Sequence, residues 1–169
     1  ITVTSVDGVG QITLEVIING NNDAVTLSVD ADPAADLVNE NATGLVGIAA
    51  LATDPDATNN TVTYALVASA TGGAYSGPFA IDAGNGEVTL TSPLDAETDG
   101  ASVTIYVEAT STDGTSTITP FTVAVADVDE YAVTAPVDVD AAVNTIAEGA
   151  TGNVGLTASA SDADATDNT

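Results

Sequence analysis

Lysine, arginine and histidine are absent from this 169-residue chain, and so are cysteine, methionine and tryptophan. Each absence excludes something. Without a cationic side chain the protein cannot form internal salt bridges. It also repels nucleic acid and anionic membrane surfaces, which are held by Lys and Arg. Trypsin-like proteases find no cleavage site in it. Without Cys there is no disulfide and no thiol chemistry. With His missing too, only carboxylate chemistry of the glycosidase kind is left to a catalytic site. No acid–nucleophile pair stands out, so the chain is not expected to be an enzyme. Aromatic residues are scarce, two Phe and four Tyr. No uninterrupted apolar run approaches the roughly 18 residues of a membrane span.

What is present is acid and a repeat. The 25 Asp and Glu give a formal net charge of −25, while a hydrophobic content of 44% still supplies a core. Val, Ile and Thr predominate, a composition that suits half-buried strands. Clustered carboxylates with no internal counter-charge attract divalent cations, and millimolar calcium is an extracellular condition, so an extracellular or cell-surface location is expected. The clusters recur. Asp54-Pro55-Asp56-Ala57-Thr58 returns as Asp162-Ala163-Asp164-Ala165-Thr166, an offset of 108 residues. At the same offset Val29-Asp30-Ala31-Asp32 returns as Val137-Asp138-Val139-Asp140, and Gly44 and Gly47 return as Gly152 and Gly155. Ser5-Val6-Asp7-Gly8 matches Ser111-Thr112-Asp113-Gly114 with a shift of two, as a hairpin loop of different length would produce. A fixed period of this kind marks a repeat architecture. The expected organisation is the last strands of one repeat over 1–24, a complete repeat over 25–132, and the first strands of the next over 133–169. The chain then reads as a window on a longer tandem array.

Within the unit, short apolar stretches alternate with turn signals. Val25–Val29, Thr61–Val67, Val103–Ala109 and Thr119–Val125 read as strands, and Leu45–Leu51 as a continuous apolar core strand. Phe79-Ala80-Ile81-Asp82 and Glu87-Val88-Thr89-Leu90 flank Ala83-Gly84-Asn85-Gly86, a hairpin signal. Asp113-Gly114 marks the turn of another hairpin. No stretch has convincing helical periodicity. About seven strands in about 100 residues, without Cys, predict an all-β, immunoglobulin-like Greek-key β-sandwich.

The ordered motifs resemble a cadherin repeat of the kind found in bacterial surface proteins. Val38-Asn39-Glu40-Asn41-Ala42 resembles the family's Pro-Glu-Asn motif, and Ala52-Thr53-Asp54-Pro55-Asp56 its Asp-x-Asp motif. Leu94-Asp95-Ala96-Glu97 resembles its Leu-Asp-Arg-Glu motif, and Ala126-Asp127-Val128-Asp129-Glu130 its linker. The resemblance implies calcium, a hard cation that takes six to eight oxygens from carboxylates, carbonyls and Asn amides. It implies a downstream junction site using Glu40, Asp95, Glu97, Asp127 and Asp129, joined by Asp162 and Asp164. Asp95 and Glu97, two apart in extended chain, are expected to point the same way. It implies an upstream site using Asn19, Asn21, Asn22 and Asp23, joined by Asp54 and Asp56. Ser111 stands where the family has an aspartate, with Asp113 or Asp7 as the substitutes the sequence offers. Glu130 and Tyr131 stand where the linker has Asp and Asn. Asp30, Asp32, Asp36, Asp99, Asp138, Asp140 and Asp167 read instead as solvated turn or strand-edge residues.

The function these features predict is structural: a calcium-stiffened extracellular repeat in an adhesin stalk or filament, whose partners are neighbouring repeats of the same or identical chains. The alternative is a carbohydrate-binding adhesion module. Sugar sites use exposed aromatic rings, and Tyr75, in a Gly-rich loop, is the best candidate. Tyr64 and Tyr106 lie in strands and read as packing residues.

Overall fold

The computed structural model of the chain describes residues 2–4, 7, 11–16 and 20–164. Among them the strands are β1 (Thr2–Thr4), β2 (Gln11–Thr13), β3 (Val29–Asp30), β4 (Leu37–Asn39), β5 (Gly44–Leu51), β6 (Val62–Val67), β7 (Phe79–Ile81) and β8 (Glu87–Leu90). A single helical turn, α1 (Ala96–Asp99), precedes β9 (Ser102–Ser111) and β10 (Ser116–Ala126), and β11 (Val137–Asp138) and β12 (Ala158–Ser159) follow. Asn19 and Asp167 lie outside the described residues.

Two four-stranded sheets form the central unit, in the orders β4-β10-β9-β6 and β3-β5-β8-β7. The predicted hairpins are present, with Ile81 opposite Val88 and Thr110 opposite Ser116. One pairing is parallel: β4 runs beside the end of β10, Leu37 against Ala124 and Asn39 against Ala126. The inward residues alternate as a two-layer sandwich requires. Val46, Ile48 and Ala50 of β5, Val88 and Leu90 of β8, and Ile105, Val107 and Ala109 of β9 are buried. They close one core cluster around Phe79 and Leu94 and a second around Val25 and Tyr64.

Three local expectations are corrected. Leu45–Leu51 is apolar throughout, yet Leu45 and Leu51 are exposed, because a two-layer sandwich leaves one face of each sheet to solvent. Residues 25–28 are not regular strand. The amide of Thr26 donates to the Thr53 carbonyl beside β5, whereas those of Val25 and Ser28 donate to the hydroxyls of Thr115 and Thr119 in the other layer. The segment crosses between the sheets and joins β5 in regular pairing only at Val29. Third, residues 96–99 form a helical turn. Asp95 is its N-cap, its side chain accepting from the Thr98 amide at 2.9 Å.

The β5–β8 register shifts between Leu45 and Ala49, a bulge at Gly47. Gly47 has φ +78°, and a Cβ there would collide with the Ala35 carbonyl, so both conformation and space require glycine.

The pairing of β11 with β12 repeats that of β3 with β5 at an interval of 108 residues. Val29 faces Leu51 and Asp30 faces Ala50; Val137 faces Ser159 and Asp138 faces Ala158. The turn bonds repeat as well. Asp30 Oδ1 accepts from the amides of Asp32 and Ala49, and Asp138 Oδ1 from those of Asp140 and Thr157. Burial does not repeat. Val25, Val46 and Ile48 are at most 2% exposed, whereas Val133, Val154 and Leu156 are 62, 41 and 52% exposed. In the central unit these positions lie under the second sheet, and 133–164 contributes no strand of that kind among the described residues.

Two outcomes follow for stability. Ile48→Ala should cost about 2–5 kcal/mol in urea unfolding, the range for emptying a packed aliphatic site. Leu156→Ala, 108 residues on, should cost within about 0.5 kcal/mol as a surface change. Asp36 is raised above its ordinary range by burial first, then by its hydrogen bond to Asp30 and the charges of Asp30 and Asp32. A raised folded-state value means that the protonated form favours the fold, so ionised Asp36 opposes folding at neutral pH. Asp36→Asn should therefore raise the melting temperature at pH 7, and the gain should vanish as the pH falls through the carboxylate range.

Candidate cation sites at the two ends of the sandwich

The downstream site is built around Glu40, at the end of β4. Its amide continues the parallel ladder to the Ala126 carbonyl at 2.9 Å, and the next amide, of Asn41, reaches the Leu94 carbonyl at 3.1 Å. The Glu40 side chain is 2% exposed. Its Oε2 accepts from the Ala96 amide at 2.6 Å and its Oε1 from the Val128 amide at 2.5 Å. One carboxylate thus ties the strand end, the first turn of α1 and the segment after β10. Charge-assisted bonds of this kind are short and strong.

Around it stand Glu97, Asp127 and Glu130, and one carboxylate oxygen from each of the four lies within 4.8 Å of the others. Glu97 is carried there by α1. Asp127 and Glu130 belong to the segment leaving β10, and Glu130 accepts from the side-chain amide of Asn41. Desolvation, with the charges of Glu40, Glu97 and Asp164, holds the Glu130 carboxyl above its ordinary range, and Asn41 opposes this. Asp164, 2% exposed, closes the site from the next repeat unit. Its Oδ1 accepts from the Glu130 amide at 3.2 Å and its Oδ2 from the Tyr131 amide at 3.3 Å. Asp162 Oδ1 in turn accepts from the Asp164 amide at 3.3 Å.

At the upstream end, Asp54, Asp56 and Asp113 each offer an oxygen within 4.8 Å of the others. Asp54 follows β5 and is 9% exposed. Its Oδ1 accepts from the Asp56 amide at 3.0 Å, while Asp56 Oδ2 accepts from the Asp23 amide at 3.1 Å. These are the same two bonds that Asp162, Asp164 and Tyr131 make 108 residues later. Asp113 closes the β9–β10 turn, its Oδ1 accepting from the Thr115 amide at 2.7 Å and the Thr115 hydroxyl at 2.9 Å. The Thr115 amide above all, with help from the side chains of Thr115, Asn22 and Ser111, holds the Asp113 carboxyl below its ordinary range. Ten residues of β9 separate the two ends, roughly 30 Å at the rise of extended chain.

The expected ligands divide accordingly. Glu40, Glu97 and Asp127 converge, with Asp164 beside them, and Asp54 and Asp56 converge with each other. Asp95 is engaged as the helix cap. Because Glu97 is helical, the extended-chain argument for pairing it with Asp95 does not hold. Asp129 and Asp162 are not members of either cluster. Asp23 contributes its amide, and the Asn21 side chain lies against the Asn22 carbonyl at 3.4 Å. Two members escaped the expected ligand set. Glu130 is the acid next after Asp129, and Asp113 is one of the two substitutes for Ser111. Neither spacing nor type distinguished them from turn residues.

Both clusters suit a hard cation. Asp54 Oδ2 and Asp113 Oδ2 are buried and make no hydrogen bond among the described residues, an arrangement that a buried polar atom tolerates only at a cost. The side-chain donors are all oxygen, and with neither His nor Cys in the chain nothing favours zinc over calcium or magnesium.

Tyr75 is half-buried against the core, and its hydroxyl oxygen accepts from the Phe79 amide at 3.2 Å. A Cβ at Gly77 would collide with that hydroxyl. Tyr64 is buried, its hydroxyl accepting from the Ala52 amide at 2.9 Å.

Comparison with known proteins adds family and fold. A family profile described as the cadherin domain matches residues 37–126, more than half of the chain. No curated protein sequence matches it. Among solved structures, a protocadherin gammaB7 EC3–6 cis-dimer structure is 21% identical with a TM-score of 0.65, over 92% of this chain and 38% of that one. A protocadherin gamma B2 structure of domains 3–6 is 22% identical with a TM-score of 0.63, over 92% of this chain and 38% of the other. Mouse cadherin-23 EC22–24 is 21% identical with a TM-score of 0.57, over 85% and 45%. The chain therefore spans well under half the length of each, and at these identities the likeness concerns the fold. The sandwich topology and the matched profile together mean that this chain belongs to the cadherin domain family.

Proposed function

We propose that the chain is a segment of an extracellular tandem array in which calcium, bound at the junctions between repeats, stiffens the array. Residues 25–132 form one repeat, 1–24 end the preceding one, and 133–169 begin the next. The array serves as a non-catalytic adhesin stalk or filament, of the sort found on bacterial surfaces, and its partners are neighbouring repeats of the same or identical chains.

The observation that carries this reading is the downstream cluster. Four carboxylates from the base of one repeat and its linker converge, and an aspartate from the following segment holds the linker amides beside them. No cationic side chain exists to neutralise them. Left bare, the carboxylates repel and push the linker from the base of the repeat. A bound calcium ion supplies two positive charges where the repulsion is greatest. Glu40, Glu97, Asp127 and Glu130 would hold it, with Asp164 presenting the linker. Binding free energy then becomes stability of the ordered junction. Metal release leaves a flexible joint, and millimolar calcium outside cells keeps the site loaded.

Thermal melting with calcium, and then with excess chelator, tests this. At about 100 times the dissociation constant one site adds about 2.7 kcal/mol, which should raise the melting temperature by roughly 10 °C. X-ray scattering should show larger dimensions with calcium. Equal melting temperatures and unchanged dimensions would sink the reading. Glu97→Gln removes a ligand charge without touching the buried Glu40 bonds. It should weaken calcium binding by about tenfold or more, since affinity follows ligand charge, with metal-free stability unchanged or higher. Calorimetric titration measures the first and chelated melts the second.

A further inference from the structure

At the upstream end the last residue of β9 is Ser111, 3% exposed, whose hydroxyl donates to the Asn59 carbonyl at 3.1 Å. A hydroxyl so committed brings no charge to a cation. Two residues further on, in the turn, Asp113 reaches Asp54 and Asp56. We propose that Asp113 is the third carboxylate ligand of the upstream cation, and that through it the ion fixes the β9–β10 hairpin against the first strand of the repeat. The proposal rests on the reading of calcium-bound junctions given above.

Three observations converge on it. The two oxygens of Asp113 have different surroundings: Oδ1 closes the turn on Thr115, and Oδ2 is buried with no hydrogen-bond partner among the described residues. Independently, Asp54 is nine-tenths buried and its Oδ2 also makes no hydrogen bond among the described residues. Two desolvated carboxylate oxygens in one small cluster are stable together only when a positive charge lies near them. The third observation is the path out of the cluster. The Thr115 hydroxyl, which donates to Asp113 Oδ1, accepts from the Val25 amide at 3.1 Å. Val25 is the first core residue after the linker, 2% exposed. A cation held by Asp113 therefore orders the turn, and the turn holds the point where the chain joins the sandwich. Asp56, with its bond from the Asp23 amide, secures the same linker from the other side. An aspartate in the strand itself could bind the ion but would not close the turn.

The 169-residue chain, titrated with calcium by calorimetry, tests the assignment in four forms: unmodified, Asp113→Asn, Ser111→Ala and Glu97→Gln. Asparagine keeps the Oδ1 acceptor for Thr115 and removes only the charge, so the turn survives. Asp113→Asn should weaken one site by about tenfold or more while sparing the site that Glu97→Gln weakens. Ser111→Ala should leave every calcium affinity unchanged. Amide hydrogen exchange at Val25 and Thr115 should slow on adding calcium in the unmodified chain and in Ser111→Ala, but not in Asp113→Asn. Unmodified calcium affinities in Asp113→Asn, or an undiminished calcium response of the Val25 and Thr115 amides in it, overturn the assignment while leaving calcium-bound junctions standing. An unmodified chain that binds no calcium overturns both.

Discussion

A carboxylate buried in a protein without one cationic side chain organises the lower end of the repeat. Glu40 takes two backbone amides, those of Ala96 and Val128, onto its two oxygens, and its own amide extends the strand ladder to Ala126. These bonds bring the start of α1 and the segment after β10 to one point. Glu97 and Asp127 are neighbours of the two amide donors in sequence, so their convergence follows from the seating of Glu40. The electrostatic difficulty follows as well. Amide dipoles can satisfy the hydrogen bonding of one carboxylate, but they cannot neutralise four. The binding site and the instability of the metal-free junction are one arrangement.

Strand order makes that arrangement possible at both ends. Parallel pairing of β4 with β10 places Glu40 beside the exit of the repeat, although 86 positions of chain separate Glu40 from Ala126. Antiparallel pairing of β9 with β10 places the Asp113 turn at the opposite end, beside the Asp54 loop. The long β9 keeps the two charge clusters roughly 30 Å apart, well beyond the Debye length of about 8 Å at physiological salt. Each junction can therefore bind its cation without opposition from the other.

The repeat also separates what a segment does alone from what it needs its neighbours for. Residues 133–164 reproduce the pairing register, the Asx turns and the glycine conformations of residues 25–56. Those features are local, set by side chains one or two residues from the backbone groups they bind. Burial is not local. Val154 and Leu156 have the same strand positions as Val46 and Ile48 but remain open, because burying them requires strands from the second layer.

The 108-residue period, the hairpins at 83–86 and 113–114, the all-β class and the acidic motifs were legible in the sequence, because periodicity, turn chemistry and charge are properties of neighbouring residues. The exposed side of β5 was not, since an apolar residue cannot announce which sheet face it occupies. The helical turn after Asp95 escaped notice because four residues carry no periodicity. The site was legible in part. Glu40, Glu97, Asp127, Asp54 and Asp56 are recognisable by motif. The roles of Glu130 and Asp113 depend on distances between segments far apart in the chain. The sequence by itself determined that this protein carries its charge as clustered acids and holds no cation to answer them. Only the tertiary structure decided which acids meet, because folding across two sheets sets the few ångströms over which carboxylates can share an ion.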